Sequence, residues 1–134
     1  MNALREVVVG VFMDISTVER LVDQYCQGWS NPDSEIREQL VRGALSPDAI
    51  YCDPRADNLT VDQLLSHISK IQSQRPGAVV ERSSDIDLHH TFARFDFHVV
   101  SGDGSILLKG VDFVDVDSNA CRLGRIIGFF EPPQ

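Results

Sequence analysis

Charged and aromatic side chains alternate along the stretch LHHTFARFDFH, which spans residues 88–98. Side chains of a β-strand point alternately to its two faces, so Arg94 and Asp96 share one face. Phe95 and Phe97 then share the other face. An arginine and an aspartate are costly to place in an otherwise apolar, strand-forming run. The polar face is therefore either the lining of a pocket or the outer surface of a sheet, and we favour the pocket.

Two further aspartates stand where a carboxyl group can do acid–base chemistry. Asp53 comes directly before Pro54 at the end of a short strand, and Asp112 lies between Val111 and Phe113. Desolvation by apolar neighbours raises the pKa of a carboxyl group, and a protonated carboxyl can donate a hydrogen bond. An aspartate before proline also occurs in ordinary turns, so a purely structural role for this residue stays open.

The elements that position these residues begin with two helices. Ser16 and Glu19 match the capping box S-x-x-E, which satisfies unpaired backbone N–H groups at a helix start. Behind this box, apolar residues recur at helical spacing as far as Trp29, and Tyr25 lies on the apolar stripe. Turn residues at 31–34 then restart the chain as a second amphipathic helix.

A short strand and a third helix follow. The strand covers residues 49–53 and stops at Pro54. Thr60 and Gln63 form another capping box, and the helix behind it ends before Pro76.

The second half of the chain is predicted to form a sheet, because the apolar period changes to two and strand formers dominate. Residues 79–100 are too many for one ordinary strand, so we predict a break near His89 and His90. After a hairpin turn at residues 101–104, two more strands follow at residues 106–116 and 121–130. Helices followed by an antiparallel meander predict an α+β domain.

This order of elements, together with DAIYCDP at residues 48–54 and GRIIGFF at residues 124–130, resembles the nuclear transport factor 2-like superfamily. More narrowly, residues 15–132 resemble its SnoaL-like bacterial members. The resemblance implies a cone-shaped, curved antiparallel sheet wrapped around three N-terminal helices, with a mostly apolar pocket at its open end. We expect an N-terminal arm at residues 1–14 and a single domain at residues 15–134.

The superfamily contains isomerases, polyketide cyclases, epoxide hydrolases, dehydratases and non-catalytic adaptors, so the fold alone decides no function. Ketosteroid isomerase, one of its members, uses a tyrosine of the first helix and two aspartates. Tyr25, Asp53 and Asp112 match these positions. The resemblance implies that Asp53 abstracts a proton next to a carbonyl, while Tyr25 and a protonated Asp112 stabilise the oxyanion.

A second catalytic hypothesis concerns Arg94 and Asp96. Limonene epoxide hydrolase, another member, activates water with an R-x-D pair and a later aspartate, but GRIIGFFEP lacks the later aspartate. A non-catalytic ligand-binding or dimerisation module of the same fold is the alternative to both enzymes. The residues expected to line the pocket are Trp29, Tyr51, His67, His90, Phe92, Arg94, Asp96 and Phe129.

The hairpin loop decides between these hypotheses, because it sets which residue lies opposite Asp112. A three-residue loop, Gly102–Gly104, would place Arg94 opposite Asp112, and the resulting ion pair would keep Asp112 charged. A two-residue loop shifts the register by one and places Asp112 on the apolar face of Phe95 and Phe97. Both loops are compatible with the sequence.

Composition narrows the class of partner. The chain has 134 residues and a formal net charge of −8, which argues against nucleic acid and anionic membrane surfaces. Three cysteines without a CxxC pair argue against disulfides and zinc, and they favour reduced thiols in the cytoplasm. Adjacent histidines on a strand point to opposite faces, so we expect no metal at His89 and His90. We expect no organic cofactor, since no Gly-rich phosphate loop is present.

The expected partners are therefore a small apolar or carbonyl-bearing molecule in the pocket and a second copy of the chain. The second copy would pack on the outer face of the sheet, forming a homodimer.

Overall fold

The computed structural model describes residues 14–131, and within them three helices and seven strands follow each other. They are α1 (Ile15–Ser30), α2 (Ser34–Ala44), β1 (Leu45–Asp53), β2 (Ala56–Leu59), α3 (Val61–Gln74), β3 (Val79–Arg82), β4 (Asp87–His89), β5 (Phe92–Val100), β6 (Ile106–Asp117) and β7 (Arg122–Phe130). The α+β class and the order of elements confirm the prediction. Of the expected N-terminal arm, only Asp14 is among the described residues. None of the described helices is both long and apolar enough to cross a membrane.

The strands form one sheet in the order β2-β1-β7-β6-β5-β3, and β4 pairs with the other half of β5. The meander β5–β6–β7 is antiparallel, as predicted. The sheet as a whole is mixed, because β1 runs parallel to β7. These two strands are separated by α3 and the whole meander, so no tight turn forces them to be antiparallel. The strand β2 was not anticipated from the sequence.

The first helix begins differently from the prediction. Its N-cap is Asp14, whose Oδ1 accepts the backbone N–H of Thr17 at 2.8 Å and the hydroxyl of Ser16 at 2.9 Å. The predicted Ser16 capping box is therefore wrong, because aspartate caps a helix as well as serine does. The predicted box of Thr60 and Gln63 at α3 is confirmed, with both reciprocal hydrogen bonds present.

The hydrophobic core lies between the three helices and the inner face of the sheet. Each helix contributes one apolar stripe, and alternate residues of β5, β6 and β7 face these stripes. The largest fully buried side chains are Phe95, Leu64, Ile68, Leu123, Ile126, Val18, Val22 and Val41.

A β-bulge after the β5–β6 turn sets the register of the site. Ser101 donates its backbone N–H to the Ser105 carbonyl at 2.8 Å, and Gly104 adopts a φ of +89°, so the loop has three residues. Val100 pairs with Ile106 and Val99 pairs with Leu108, which leaves one extra residue on β6. This bulge shifts the ladder by one residue.

As a result, Asp112 lies opposite Phe95 on the inner face, and Arg94 lies opposite Phe113 on the outer face. The three-residue loop is present, but the register is the one expected from a two-residue loop. Arg94 and Asp112 therefore cannot form an ion pair.

Candidate active site

Three neighbouring strands bring two carboxyl groups together on the inner face of the sheet. Asp112 of β6 pairs with Gly128 of β7. Cys52 of β1 pairs with Ile127, so Asp53 lies level with Gly128 on the other side of β7. A Cβ atom built at Gly128 would lie 2.9 Å from Oδ1 of Asp112 and 3.6 Å from Cβ of Asp53. The missing side chain of Gly128 therefore leaves the space that the Asp112 carboxyl occupies.

Asp112 is almost completely removed from solvent, with 6% of its surface exposed. Burial raises the pKa of Asp112 to about 8, and the nearby negative charge of Asp53 also raises it. Burial disfavours any charge on Asp112, and the charge of Asp53 disfavours a second negative charge beside it. Near neutral pH the Asp112 carboxyl therefore keeps its proton and can donate a hydrogen bond.

Asp53 is held by two donors at the end of β1. The Tyr51 hydroxyl donates to Oδ2 of Asp53 at 2.5 Å, and the backbone N–H of Arg55 donates to Oδ1 at 2.7 Å. The second bond is the turn that an aspartate makes around a following proline. Asp53 is half-buried, in contrast to Asp112.

The helix α1 supplies Tyr25, which is only 2% exposed. Burial raises the pKa of Tyr25 well above its ordinary value, and the negative charge of Asp112 raises it further. The phenol therefore stays protonated and can act as a hydrogen-bond donor. We refer to Tyr25, Tyr51, Asp53 and Asp112 as the interior cluster.

Trp29 packs over the interior cluster from the next turn of α1. Its ring lies edge-on to Tyr25, with centroids 6.5 Å apart, and is tilted on Tyr51 at 5.8 Å. The imidazole of His67 in α3 meets the indole edge-on at 6.0 Å. Trp29, Tyr51 and His67 thus lie together beside the interior cluster, and the prediction that they line a ligand pocket stays a prediction.

Arg94 and Asp96 do not lie in the interior, and the prediction that they line the pocket is corrected. Both are exposed on the outer face, where Arg94 forms an ion pair with Asp87 at 2.5 Å. The alternate positions on β5, which include Phe95, must cover the helices, so the polar positions face outward. The water-activating Arg94–Asp96 arrangement is therefore wrong as well.

Three other predicted pocket residues also lie outside. Phe92 and Phe129 are more than half exposed on the outer face of the sheet. His90 is exposed in the turn between β4 and β5, with a φ of +54°, and its Nδ1 lies 3.1 Å from Nδ1 of His89. The predicted break at these histidines is confirmed, and it carries His90 away from the interior. Among the described residues, no group of three or more potential ligands could hold a metal ion.

Two features of the site were missed from the sequence: the space left by Gly128, and the hydrogen bond from Tyr51, which was expected only to line the pocket. A glycine in the middle of a strand often marks the close approach of another group. At Gly128 the group that approaches is the Asp112 carboxyl. Tyr51 precedes Asp53 by two residues, a spacing that places both side chains on one face of a strand. That spacing could have predicted their hydrogen bond.

The backbone is similar to solved structures of SnoaL-like and nuclear transport factor 2-like proteins. A SnoaL-like protein from Agrobacterium tumefaciens, suggested to be an isomerase, aligns with a TM-score of 0.78 and 24% identity over 87% of this chain and 99% of its own. A protein from Jannaschia species CCS1, suggested to be a SnoaL-like polyketide cyclase, aligns with a TM-score of 0.69 and 10% identity over 90% of each chain. A nuclear transport factor 2-like protein from Cytophaga hutchinsonii gives a TM-score of 0.64 and 8% identity over 90% of this chain and 94% of its own.

These similarities show that the chain has the cone-shaped α+β fold of SnoaL-like and nuclear transport factor 2-like proteins, as the sequence predicted. No protein-family model matches the sequence, and no curated protein matches it either.

Proposed function

We propose that this chain binds a small, largely apolar molecule bearing a carbonyl group and acts on it as a cofactor-independent acid–base isomerase, cyclase or dehydratase. The observation that carries the proposal is the pair of carboxyl groups beside Gly128. Within residues 14–131 no counter-ion faces the buried Asp112, which keeps its proton, and the negative charge of Asp53 helps to hold that proton there. Two carboxyls whose surroundings separate their protonation states are suited to different roles in one reaction.

In the proposed reaction, Asp53 takes a proton from a carbon next to the substrate carbonyl. The electron pair of the broken C–H bond moves toward the carbonyl and forms an enolate. Tyr25 and protonated Asp112 donate hydrogen bonds to the enolate oxygen, which lowers the energy of the developing charge. Asp53 then returns its proton to another carbon in an isomerisation, or to a departing hydroxyl in a dehydration.

The similar structures support this reaction class only through the shared fold. Isomerase and polyketide cyclase activities have been suggested for two of those proteins. At 24% identity or less, the likeness does not carry an activity over to this chain.

A non-catalytic ligand-binding or dimerisation module is the second candidate. The burial of the interior cluster favours it, because a reactant has little access to these side chains. Tyr25 and Asp112 are 2% and 6% exposed, and both oxygens of Asp53 already accept hydrogen bonds. A reactant would have to displace the Trp29 ring or a neighbouring side chain to reach them. A binding module needs no such access to the carboxyl groups.

Hydrogen exchange at enolisable ketones in D₂O distinguishes an enzyme from a binding module. If Asp53 is the base, the wild-type protein exchanges the hydrogens next to the carbonyl, and Asp53→Asn slows this by about 10²–10⁴-fold. Exchange is followed by the loss of substrate proton signals in NMR spectra. Asp96→Asn, the same change at an exposed position of β5, should keep wild-type exchange. Exchange that persists in Asp53→Asn would exclude Asp53 as base, and ligand binding without any exchange would favour the module.

We also propose that a second copy of the chain covers the outer face of β5, β6 and β7. Phe92, Phe113 and Phe129 are 51%, 42% and 55% exposed there, and the rings of the latter two meet edge-on at 5.7 Å. Such a cluster of exposed aromatic residues is typical of an interface.

The charges around this aromatic cluster favour the same chain as partner. The acidic side chains Glu81, Asp87, Asp96 and Asp115 alternate there with Arg94, Lys109 and Arg125. Most of the net charge of −8 therefore lies elsewhere on the molecule, so two copies repel each other least across this face.

A further inference from the structure

The burial of the inner face decreases toward one end of the meander. Phe95 is 1% exposed, Phe97 is 8% exposed and Val99 is half-buried, although all three share the inner face of β5. The inner face of β6 shows the same trend, from Val114 at 3% to the half-buried Leu108. Within residues 14–131, the inner face is therefore most accessible at Val99 and Leu108. We call this the open end of the sheet.

Gly110 lies between Asp112 and the open end. It precedes Asp112 by two residues on β6, so both positions belong to the inner face. A Cβ atom built at Gly110 would lie 2.6 Å from Cζ and 2.8 Å from Cε1 of Phe97, its partner on β5. Real Cβ atoms essentially never approach another atom so closely. The Phe97 ring therefore fills the space of the missing side chain and covers bare backbone beside Asp112.

Phe130 borders Gly110 on the other side, where it pairs with Gly110 in the ladder and is half-buried. The guanidinium carbon of Arg55 lies 5.8 Å from the centroid of the Phe130 ring, which is within reach of a cation–π contact. This contact holds the Phe130 ring in place. Phe97 is therefore the ring that a ligand has to displace over Gly110, and the half-buried residues beyond it leave room for the ring to move.

A groove between α1 and β3 offers a small molecule a different place. Its volume is about 390 Å³, and its lining comes from these two helix and strand segments, including Cys26 and Arg82. No member of the interior cluster is among the described residues that line it. A molecule in this groove would not touch the groups that the proposed reaction needs, whereas the approach over Gly110 leads directly to Asp112.

We propose that Phe97 is the specificity-determining residue of the proposed site: a ligand reaches Asp112 from the open end by displacing the Phe97 ring from Gly110, and the size of this ring limits which ketones fit. This inference rests on the proposed function, since it names the route and the size class of the substrate. Because the displaced ring stays beside the ligand, the wild type favours a one-ring ketone such as cyclohexanone over a fused two-ring ketone such as β-decalone.

The test is the ratio of the dissociation constants of β-decalone and cyclohexanone. Binding is followed through the indole N–H of Trp29 in ¹H–¹⁵N NMR spectra, because Trp29 is the sole tryptophan and packs over the interior cluster. Phe97→Ala empties the space over Gly110, so we expect the ratio to shift in favour of β-decalone by at least about tenfold.

Leu123→Ala is the matched control. It also removes a buried apolar side chain from the inner face, but at a position of β7 opposite Val116, four residues along β6 from Asp112. We expect the wild-type ratio in this variant. A loss of packing alone would change the two variants alike, so an equal shift in both would overturn the role of Phe97.

The remaining outcomes separate this inference from the proposed function. An unchanged ratio in Phe97→Ala, together with Asp53-dependent exchange in D₂O, overturns the role of Phe97 and leaves the proposed reaction standing. A shifted ratio without any exchange supports the route over Gly110 and overturns the reaction. If neither ketone binds to the wild type or to Phe97→Ala, both proposals are overturned.

A measurement on the wild type decides the matter if Phe97→Ala fails to fold. Bound cyclohexanone should give nuclear Overhauser contacts with the Phe97 ring and with the α protons of Gly110. Contacts with Gln27 and Arg82 instead would place the ligand in the groove between α1 and β3, and they would overturn the proposal.

Discussion

At the scale of single residues, the buried Asp112 carboxyl on the inner face of β6 makes the stability of the whole protein depend on pH. Its pKa is about 8 in the folded chain, against an ordinary value of 3.8. Between these two values the folded state binds a proton that the unfolded state has lost. The contribution of Asp112 to stability is therefore fully present below about pH 4 and is lost as the pH rises toward 8.

Asp112→Asn should remove this pH dependence. At 1.36 kcal/mol per pKa unit, charging Asp112 costs the wild type at most about 6 kcal/mol of unfolding free energy at pH 9. We expect the variant to be the more stable protein at pH 9 and to lose this advantage at pH 4. Urea unfolding followed by the fluorescence of Trp29, the sole tryptophan, gives both values. Asp96→Asn, on the exposed face, should follow the wild type at each pH, and an equal pH slope in Asp112→Asn would contradict the prediction.

At the scale of the secondary-structure elements, the hydroxyl of Ser30 protects the edge strand β3. The backbone N–H of Val80 in β3 donates to the Ser30 hydroxyl at 2.9 Å, and that hydroxyl also lies 3.3 Å from the Val80 carbonyl. Ser30, the last residue of α1, thereby covers backbone groups that an edge strand would otherwise leave unpaired.

Ser30→Ala should destabilise the protein by about 1–2 kcal/mol, because it leaves the half-buried N–H of Val80 without a partner. The free energy of unfolding and the hydrogen exchange of the Val80 amide measure the effect, and exchange should become faster. Ser73→Ala removes an exposed hydroxyl at the end of α3 and should change the stability by less than about 0.5 kcal/mol. Similar losses in the two variants would mean that Ser30 does not protect the edge.

At the scale of the whole molecule, the outer face of the sheet predicts a dimer. Analytical ultracentrifugation of the wild type should give about twice the chain mass of 14.9 kDa. Phe113→Lys places a charge in the middle of the aromatic cluster and should give monomers. Ile36→Lys makes the same kind of change at an exposed position of α2, and it should leave the dimer intact. A monomeric wild type, or a Phe113→Lys variant that still dimerises, would rule out this face as the interface.

Much of the architecture could be predicted from local patterns. The apolar stripe of α1, the capping box of Thr60 and the change from a helical to a two-residue period each act over a few residues. The break at His89 and His90 could be predicted because no ordinary strand is long enough to span the run. Local preference alone placed the start of α1 two residues too late, since Asp14 and Ser16 cap helices equally well.

The candidate site was only partly predictable, because local patterns indicate which side chains are apolar but not how distant strands pair. Tyr25 lies on an apolar stripe, so the sequence by itself determined that it faces the core, whereas the apolar neighbours of Asp112 left its face dependent on the strand register. The sequence did not determine the register, because the bulge at Leu107 has no local signal such as a glycine. A slip of one residue turns every side chain of a strand to the other face.

Only the tertiary structure, therefore, decided that Arg94 lies outside and Asp112 inside. It also decided that Asp53 and Asp112 meet across Gly128, since three strands distant in sequence must pair before those residues become neighbours. Local sequence determines which elements form and which side chains are apolar. The contacts that do chemistry depend on pairing between distant strands, and packing of the whole core selects that pairing.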